Sequence, residues 1–249
     1  MKSALGRKKQ GFSLIELLVV VSLLAAVAFI ATGTFRGVGE NANDRLVRVE
    51  MQEIAKAIRQ FKADTGYYPK TGPFALSDSD GVPYANLNSY LGTSASAAER
   101  ERWFYSPANF YQLLASTSPL AGTGHPLETW TPESGRGWRG PYLKGFEDGF
   151  VDIGDGINDG TALGDVSGDP LAGNRIPNVP GLADPFDHRT ANARLDWSAT
   201  PGGTKREKWG RPYLFLDLDA DASVVRMGLV SMGPDGEYGT DDDIQLSID

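Results

Sequence analysis

The run from Phe12 to Phe35, FSLIELLVVVSLLAAVAFIATGTF, constrains this chain most: it is 24 residues long and carries one charge, Glu16. As an α-helix it would extend about 36 Å, enough to cross a hydrocarbon core of roughly 30 Å. Lys2, Arg7, Lys8 and Lys9 precede it with no acid among them. That asymmetry keeps the N-terminus in the cytoplasm and sends the remainder across. Three kinds of segment share this pattern. A secretory signal would be cut at a small-x-small site, for which Ala26-Val27-Ala28 would serve. A plain anchor would stay uncut. The third kind is clipped before the apolar run and retains it. Glu16 separates them, because a lone carboxylate in an apolar helix is costly unless it has a partner. Cleavage after Gly11 would create an amine on Phe12, one helical turn from Glu16. A neighbouring copy shifted along the axis could then pair its amine with this carboxylate.

The residues Lys8-Lys9-Gln10-Gly11-Phe12-Ser13-Leu14-Ile15-Glu16 resemble the prepilin processing site of type IV pilins and type II secretion pseudopilins. The resemblance implies cleavage between Gly11 and Phe12 by an inner-membrane prepilin peptidase, N-methylation of Phe12, and subunit pairing through Glu16. On this reading residues 1–11 are a leader that is removed and residues 12–35 are a transmembrane and polymerisation helix.

Beyond Phe35 the apolar residues Leu46, Val49, Ile54, Ala57, Ile58 and Phe61 recur at three- and four-residue steps, the mark of an amphipathic helix over 36–65. Gly66 supplies a stop and Pro69 confirms it. Joined to the apolar run, residues 12–63 predict a helix of about 78 Å whose second half packs on a sheet. Gly33, Gly37 and Gly39 fall at the junction, each costing about 1 kcal/mol relative to alanine. Pilins often carry a proline where Gly33 stands. The glycines either provide an equivalent weak point or mark its simple loss.

Residues 66–249 predict an exported α+β domain, a small antiparallel sheet with extended loops against the long helix. Strands are expected at Tyr213–Asp217 and Val224–Ser231 around a polar turn, with an edge strand at Ile244–Ile248 and a short helix within 109–117. Four local patterns, Gly66-Tyr67-Tyr68-Pro69, Gly137-Trp138-Arg139-Gly140-Pro141-Tyr142, Trp209-Gly210-Arg211-Pro212-Tyr213 and the stretch from Ser231 to Ile244, resemble in their order the major pseudopilin of type II secretion. Long stretches near 70–136 and 145–208 separate them and read as insertions.

The side-chain charge of −8 becomes −12 once the basic leader is removed. An acidic body of that kind argues against a nucleic-acid partner and suits divalent cations. With no cysteine, disulfides and thiolate metal sites are excluded. Asp235, Asp242 and Asp243 are carboxylates brought together by a turn containing Gly233, Gly236 and Gly239. Ca²⁺ takes six to eight oxygens of this mixed type, and the resemblance implies a structural calcium here; otherwise the run is an acidic solvated turn. The Asp148–Asp159 stretch is also rich in Asp and Gly. It lacks EF-hand spacing and reads as a flexible polar loop rather than a second ion site. His125 and His188 are the only histidines, and neither stands in a ligand or catalytic spacing.

The sequence therefore predicts a non-enzymatic, single-pass subunit of the bacterial inner membrane with its C-terminal domain in the periplasm. Its expected partners are other copies of itself, related pseudopilins, the prepilin peptidase, the inner-membrane secretion platform and membrane lipid. Alternatives are a surface pilus subunit for adhesion or motility, or an exported binding domain on a pilin-like anchor.

Overall fold

The computed structural model describes residues 14–144, 147–151, 176–183, 212–217, 226–234 and 239–248, with backbone alone at Glu16, 26–41, 147–151, 176–177 and Asp217. The chain divides into two units, Met1–Asn43 and Asp44–Asp249. One helix, α1, spans Leu14–Thr65 and contributes to both. Gly33, Gly37 and Gly39 lie within it and do not interrupt it.

In the first unit the described aliphatic side chains of α1 are bare, from Leu14 at 84% exposed to Leu24 at 63%. So much contiguous apolar surface calls for a lipid or protein covering. Among the described residues no helix is long and apolar enough to cross a membrane. Within the apolar run, side chains are described at 14–15 and 17–25, which covers about 18 Å of helix.

In the second unit α1 buries Val47, Met51, Ile54, Ala55, Ile58 and Phe61. This corrects the face expected from sequence: Leu46 and Val49 are 44% and 55% exposed. Val49 lies about 140° around the helix from Ile54, so the two cannot serve one buried stripe. Val47 and Met51 take that place. The helix stops at Gly66 as expected, with φ at 88° and its N–H donating to the Lys62 carbonyl at 2.7 Å.

The chain then forms short helical pieces: 3-10 turns at Gly72–Phe74 and Tyr84–Leu87, and helices α2 (Asn88–Leu91), α3 (Ala97–Tyr105) and α4 (Tyr111–Leu114). α4 is the helix expected within 109–117. α3 starts in a capping box, in which the Ser96 side chain accepts the Glu99 N–H and Glu99 reaches back to the Ser96 N–H. Residues 70–136 share one hydrophobic core with α1 and the sheet: Phe74, Leu87, Trp103, Phe104 and Leu113 are all buried in it. Phe61 of α1 meets Phe74 edge-on, with ring centroids 4.9 Å apart. Arg100 is buried among these pieces and donates to three carbonyls, those of Tyr84 at 2.7 Å, Gly92 at 2.9 Å and Ala95 at 3.1 Å.

Five strands complete the described fold. β1 (Glu147–Val151) pairs antiparallel with β2 (Ile176–Gly181). β3 (Leu214–Asp217), β4 (Met227–Ser231) and β5 (Ile244–Ser247) form an antiparallel sheet in that order. The α+β class, the hairpin partners and the edge strand expected from sequence are therefore present, and the expected turn at 218–223 lies outside the described residues. β4 is central and buried throughout, while β5 alternates from buried Ile244 to exposed Gln245, as an edge strand over a core should. The loop expected at Asp148–Asp159 needs correction in its first part, since Asp148–Val151 belongs to β1. Its partner is far downstream at Ile176–Gly181, and local Asp/Gly composition carries no signal of such a non-local ladder. Residues 152–159 lie outside the described ones.

Lys70 has φ at 64°, left-handed for a residue with a side chain. Its ammonium is drawn inward to the Ser106 carbonyl at 2.7 Å, and burial pushes it down from 10.5 to about 7. Between those values the unfolded chain holds a proton that the folded chain has released. Stability should therefore rise as the pH climbs from about 7 towards 10. Lys70→Met should flatten that slope in melts taken across this range; an equal slope in both proteins would rule out Lys70 as its source.

Candidate functional site

The motifs that stand apart in sequence meet at the C-terminal end of α1. Asp64 is buried there, accepting from Gln60 Nε2 at 2.9 Å and facing Arg139 Nη1 at 3.6 Å. Its backbone carbonyl accepts the Gly137 N–H at 2.8 Å. Tyr142 Oη accepts the Arg139 N–H at 2.9 Å, and its ring packs on Phe61 with centroids 5.3 Å apart. Burial pushes the Tyr142 hydroxyl up to about 12, with the bond from Arg139 opposing the shift. The Arg139 guanidinium also lies over the Trp130 ring at 4.8 Å. The Arg136 guanidinium covers Gly66, where a Cβ would come within 2.3 Å of it. Cations at this end complement the helix dipole. The Gly66–Pro69 and Gly137–Tyr142 patterns thus build one structure around the helix stop.

Two further ties fix the sheet to the same helix. Tyr213 Oη donates to Glu50 Oε2 at 2.7 Å. Arg59 donates from Nε to the Ile248 carbonyl at 3.3 Å and from Nη2 to the Ser247 carbonyl at 3.4 Å. The arrangement is a scaffold that holds a domain to a long helix. The sequence reading missed Glu50, Arg59 and Asp64, charged positions on a helix that gave no sign of which distant strand they would meet. His125 Nδ1 accepts the Leu127 N–H at 3.1 Å within its own turn, and His188 lies outside the described residues.

The acidic turn is described in part. Asp242 Oδ1 accepts from Thr240 Oγ1 at 2.6 Å, and Asp243 Oδ2 accepts the Gly239 N–H at 2.8 Å. Gly233, with φ at 60°, lets the two arms close: a Cβ there would stand 2.3 Å from the Asp242 carbonyl oxygen. Asp235 lies outside the described residues. Among the described residues no group of three or more His, Asp or Glu side chains could hold a metal ion. The described part does have the chemistry calcium takes, two adjacent carboxylates and a closely approached backbone carbonyl.

Gly11 and Phe12 precede the described residues, and Glu16 is described in backbone alone, within α1. Residues 6–32 match the family model of the prokaryotic N-terminal methylation motif. No curated protein and no solved structure matches the chain.

Proposed function

We infer that the chain, which carries a type IV pilin-like processing signal at residues 6–32, is made as a precursor of that kind. We propose that it is a structural subunit of a type II secretion pseudopilus, polymerised through its N-terminal helix to help drive protein export. The observation that carries this reading is the methylation motif with one carboxylate, Glu16, inside an otherwise apolar run. Removal of residues 1–11 leaves a chain anchored by residues 12–35 in the inner membrane, its N-terminus at the cytoplasmic side and its domain in the periplasm. Its partners are further copies, other pseudopilins, the peptidase and the inner-membrane secretion platform. The calcium-loop pattern within Ser231–Ile244, with the order of the four body patterns, favours a secretion subunit over a surface pilus subunit. Deleting the gene in its host should trap exported proteins in the periplasm while surface filaments persist. Normal export with loss of surface filaments would assign the chain to a surface pilus.

The same reading includes a structural Ca²⁺ held by Asp235, Asp242 and Asp243. Such an ion would tie the β4–β5 connection and quench repulsion between neighbouring carboxylates. Binding to the folded form alone adds about 2.7 kcal/mol at a hundredfold excess over Kd. Detergent-extracted protein should melt higher with Ca²⁺ than with chelator, by about 5–10 °C for a chain this size, and Asp242→Ala should lose the response. Equal melting temperatures for the parent in both conditions would make the loop an acidic turn.

A further inference from the structure

We propose that Lys70 and Ser106 form a binding site for a small monovalent anion of the halide class, at the corner where the chain leaving α1 meets the join of α3 and α4. The Lys70 ammonium is turned inward and donates to the Ser106 carbonyl at 2.7 Å. That carbonyl also accepts the Asn109 N–H at 3.0 Å, so both of its lone pairs are taken. An ammonium carries three N–H groups, and among the described residues Lys70 makes this one bond with them. Ser106 is 0% exposed, and its Oγ has no hydrogen-bond partner. A buried hydroxyl left that way calls for an explanation. Among the described residues no carboxylate offsets the ammonium, since burial is the sole cause that lowers its hold on the proton. Lys70 as a whole is only half-buried, which gives a small ion a way in.

The backbone holds Lys70 in this place at a cost. Its φ of 64° is a left-handed conformation, which a residue with a side chain keeps only where its surroundings enforce it. Buried Gln112 does so: its Oε1 accepts the Lys70 N–H at 2.7 Å, while its Nε2 donates to the Phe74 carbonyl at 2.8 Å and to Tyr111 Oη at 3.2 Å. The groups packed around the ammonium are thus Gln112 and Tyr111 of α4, Ser106 and Tyr105 at the end of α3, and the turn ending in Phe74. Tyr111 stays neutral, because burial pushes its hydroxyl up, and Tyr105 Oη accepts the Leu76 N–H at 3.2 Å. What is left over is all donors: two N–H groups of Lys70 and the O–H of Ser106. A ligand that only accepts serves them together, and its charge offsets the buried cation. Water brings two donors of its own and no charge. A halide accepts from any direction, whereas carboxylates and phosphates suit the flat fork of an arginine. The ion binds the ammonium, not the amine. Below about pH 7 the folded chain already holds that proton. Above it the apparent affinity should fall about tenfold per pH unit.

Detergent-extracted full-length protein, melted in sodium chloride and in sodium gluconate of equal ionic strength, tests the site independently of any assembly. At about pH 6, chloride should raise the parent's melting temperature by about 3–6 °C at a tenfold excess over Kd. At about pH 9 the two salts should give the same value. Lys70→Met should lose the difference at both pH values. Ser106→Ala removes a hydroxyl with no partner inside the protein, so it should fold like the parent and lose at least half of the chloride response. Chlorine NMR reads the same site without melting: the parent should broaden the chloride line at the lower pH, and Ser106→Ala should broaden it less. That comparison stands even where Lys70→Met fails to fold. Equal melting temperatures for the parent in both salts at the lower pH, with no line broadening, would overturn the site and leave the corner to water. A chloride effect that persists in Lys70→Met, or at the higher pH, would be a general salt effect and would overturn it too. A response undiminished in Ser106→Ala would overturn the place of Ser106 in it.

Discussion

Glu16→Ala is expected to enter the membrane and be clipped like the parent, yet to leave cells without polymer. A charged side chain in a spanning helix costs up to about 2.5–3.5 kcal/mol at the bilayer centre and less near the edge, where Glu16 would lie, so its removal eases insertion. Its presence in an otherwise apolar run implies a return elsewhere, and in the proposed polymer the amine of a neighbour's Phe12 would provide one. Breaking a buried ion pair by removing one partner costs about 3–5 kcal/mol, since the other charge stays buried and unpaired. That weakens each subunit contact by about two to four orders of magnitude. Because every interior subunit uses the contact twice, the loss compounds along the polymer. Fractionation should find the variant processed and in the membrane, while crosslinking should find it monomeric. Polymer yield equal to the parent's would remove any pairing role from Glu16.

The largest effect on the unit formed by Asp44–Asp249 is expected at Arg100. Its guanidinium satisfies the carbonyls of Tyr84, Gly92 and Ala95, which belong to three chain segments that otherwise have only short helices. Its hydrogen-bond partners are carbonyl dipoles rather than carboxylates. Arg100→Ala would strand those acceptors and leave a cavity. Hydrogen bonds from a charged donor contribute about 1.5–3 kcal/mol each, so a loss of about 3–5 kcal/mol is expected after partial relaxation. In a domain of this size that lowers the melting temperature by about 10 °C. Arg100→Lys should recover little, because a single ammonium cannot reach three divergent acceptors as a planar fork does. A melting temperature within about 2 °C of the parent for Arg100→Ala would show that these segments are held by the aromatic core around Trp103 and Tyr111 alone.

Where the pattern is local, the chain states its structure openly. Gly66 before Tyr67-Tyr68-Pro69 marks the end of α1, because only a left-handed residue closes the last turn so cheaply. The alternation Ile244-Gln245-Leu246-Ser247 marks an edge strand, and Ser96 with Glu99 encodes a helix start. Where structure depends on distant partners, the sequence is mute. Leu46 and Val49 look like core residues in a helical period, and only the position of the sheet makes Val47 and Met51 the buried ones. Asp148–Val151 looks like loop until Ile176–Gly181 supplies its ladder. The candidate sites divide in the same way. The processing signal is a contiguous string, readable at once and matched over residues 6–32. The proposed metal site depends on how Asp235 approaches Asp242 and Asp243 across a turn, which spacing alone does not fix. Asp64 and Arg139, 3.6 Å apart, give no hint of each other in sequence.

The central claim is that this chain is clipped before its apolar run and keeps that run as an assembly helix. Intact mass and N-terminal fragmentation of protein extracted from membranes test it most directly. The predicted result is a chain beginning at Phe12 with one methyl group on its amine, and a precursor that retains residues 1–11 when the prepilin peptidase is absent. A mature chain beginning at Phe29, after Ala26-Val27-Ala28, would show an ordinary secretory signal and contradict the account.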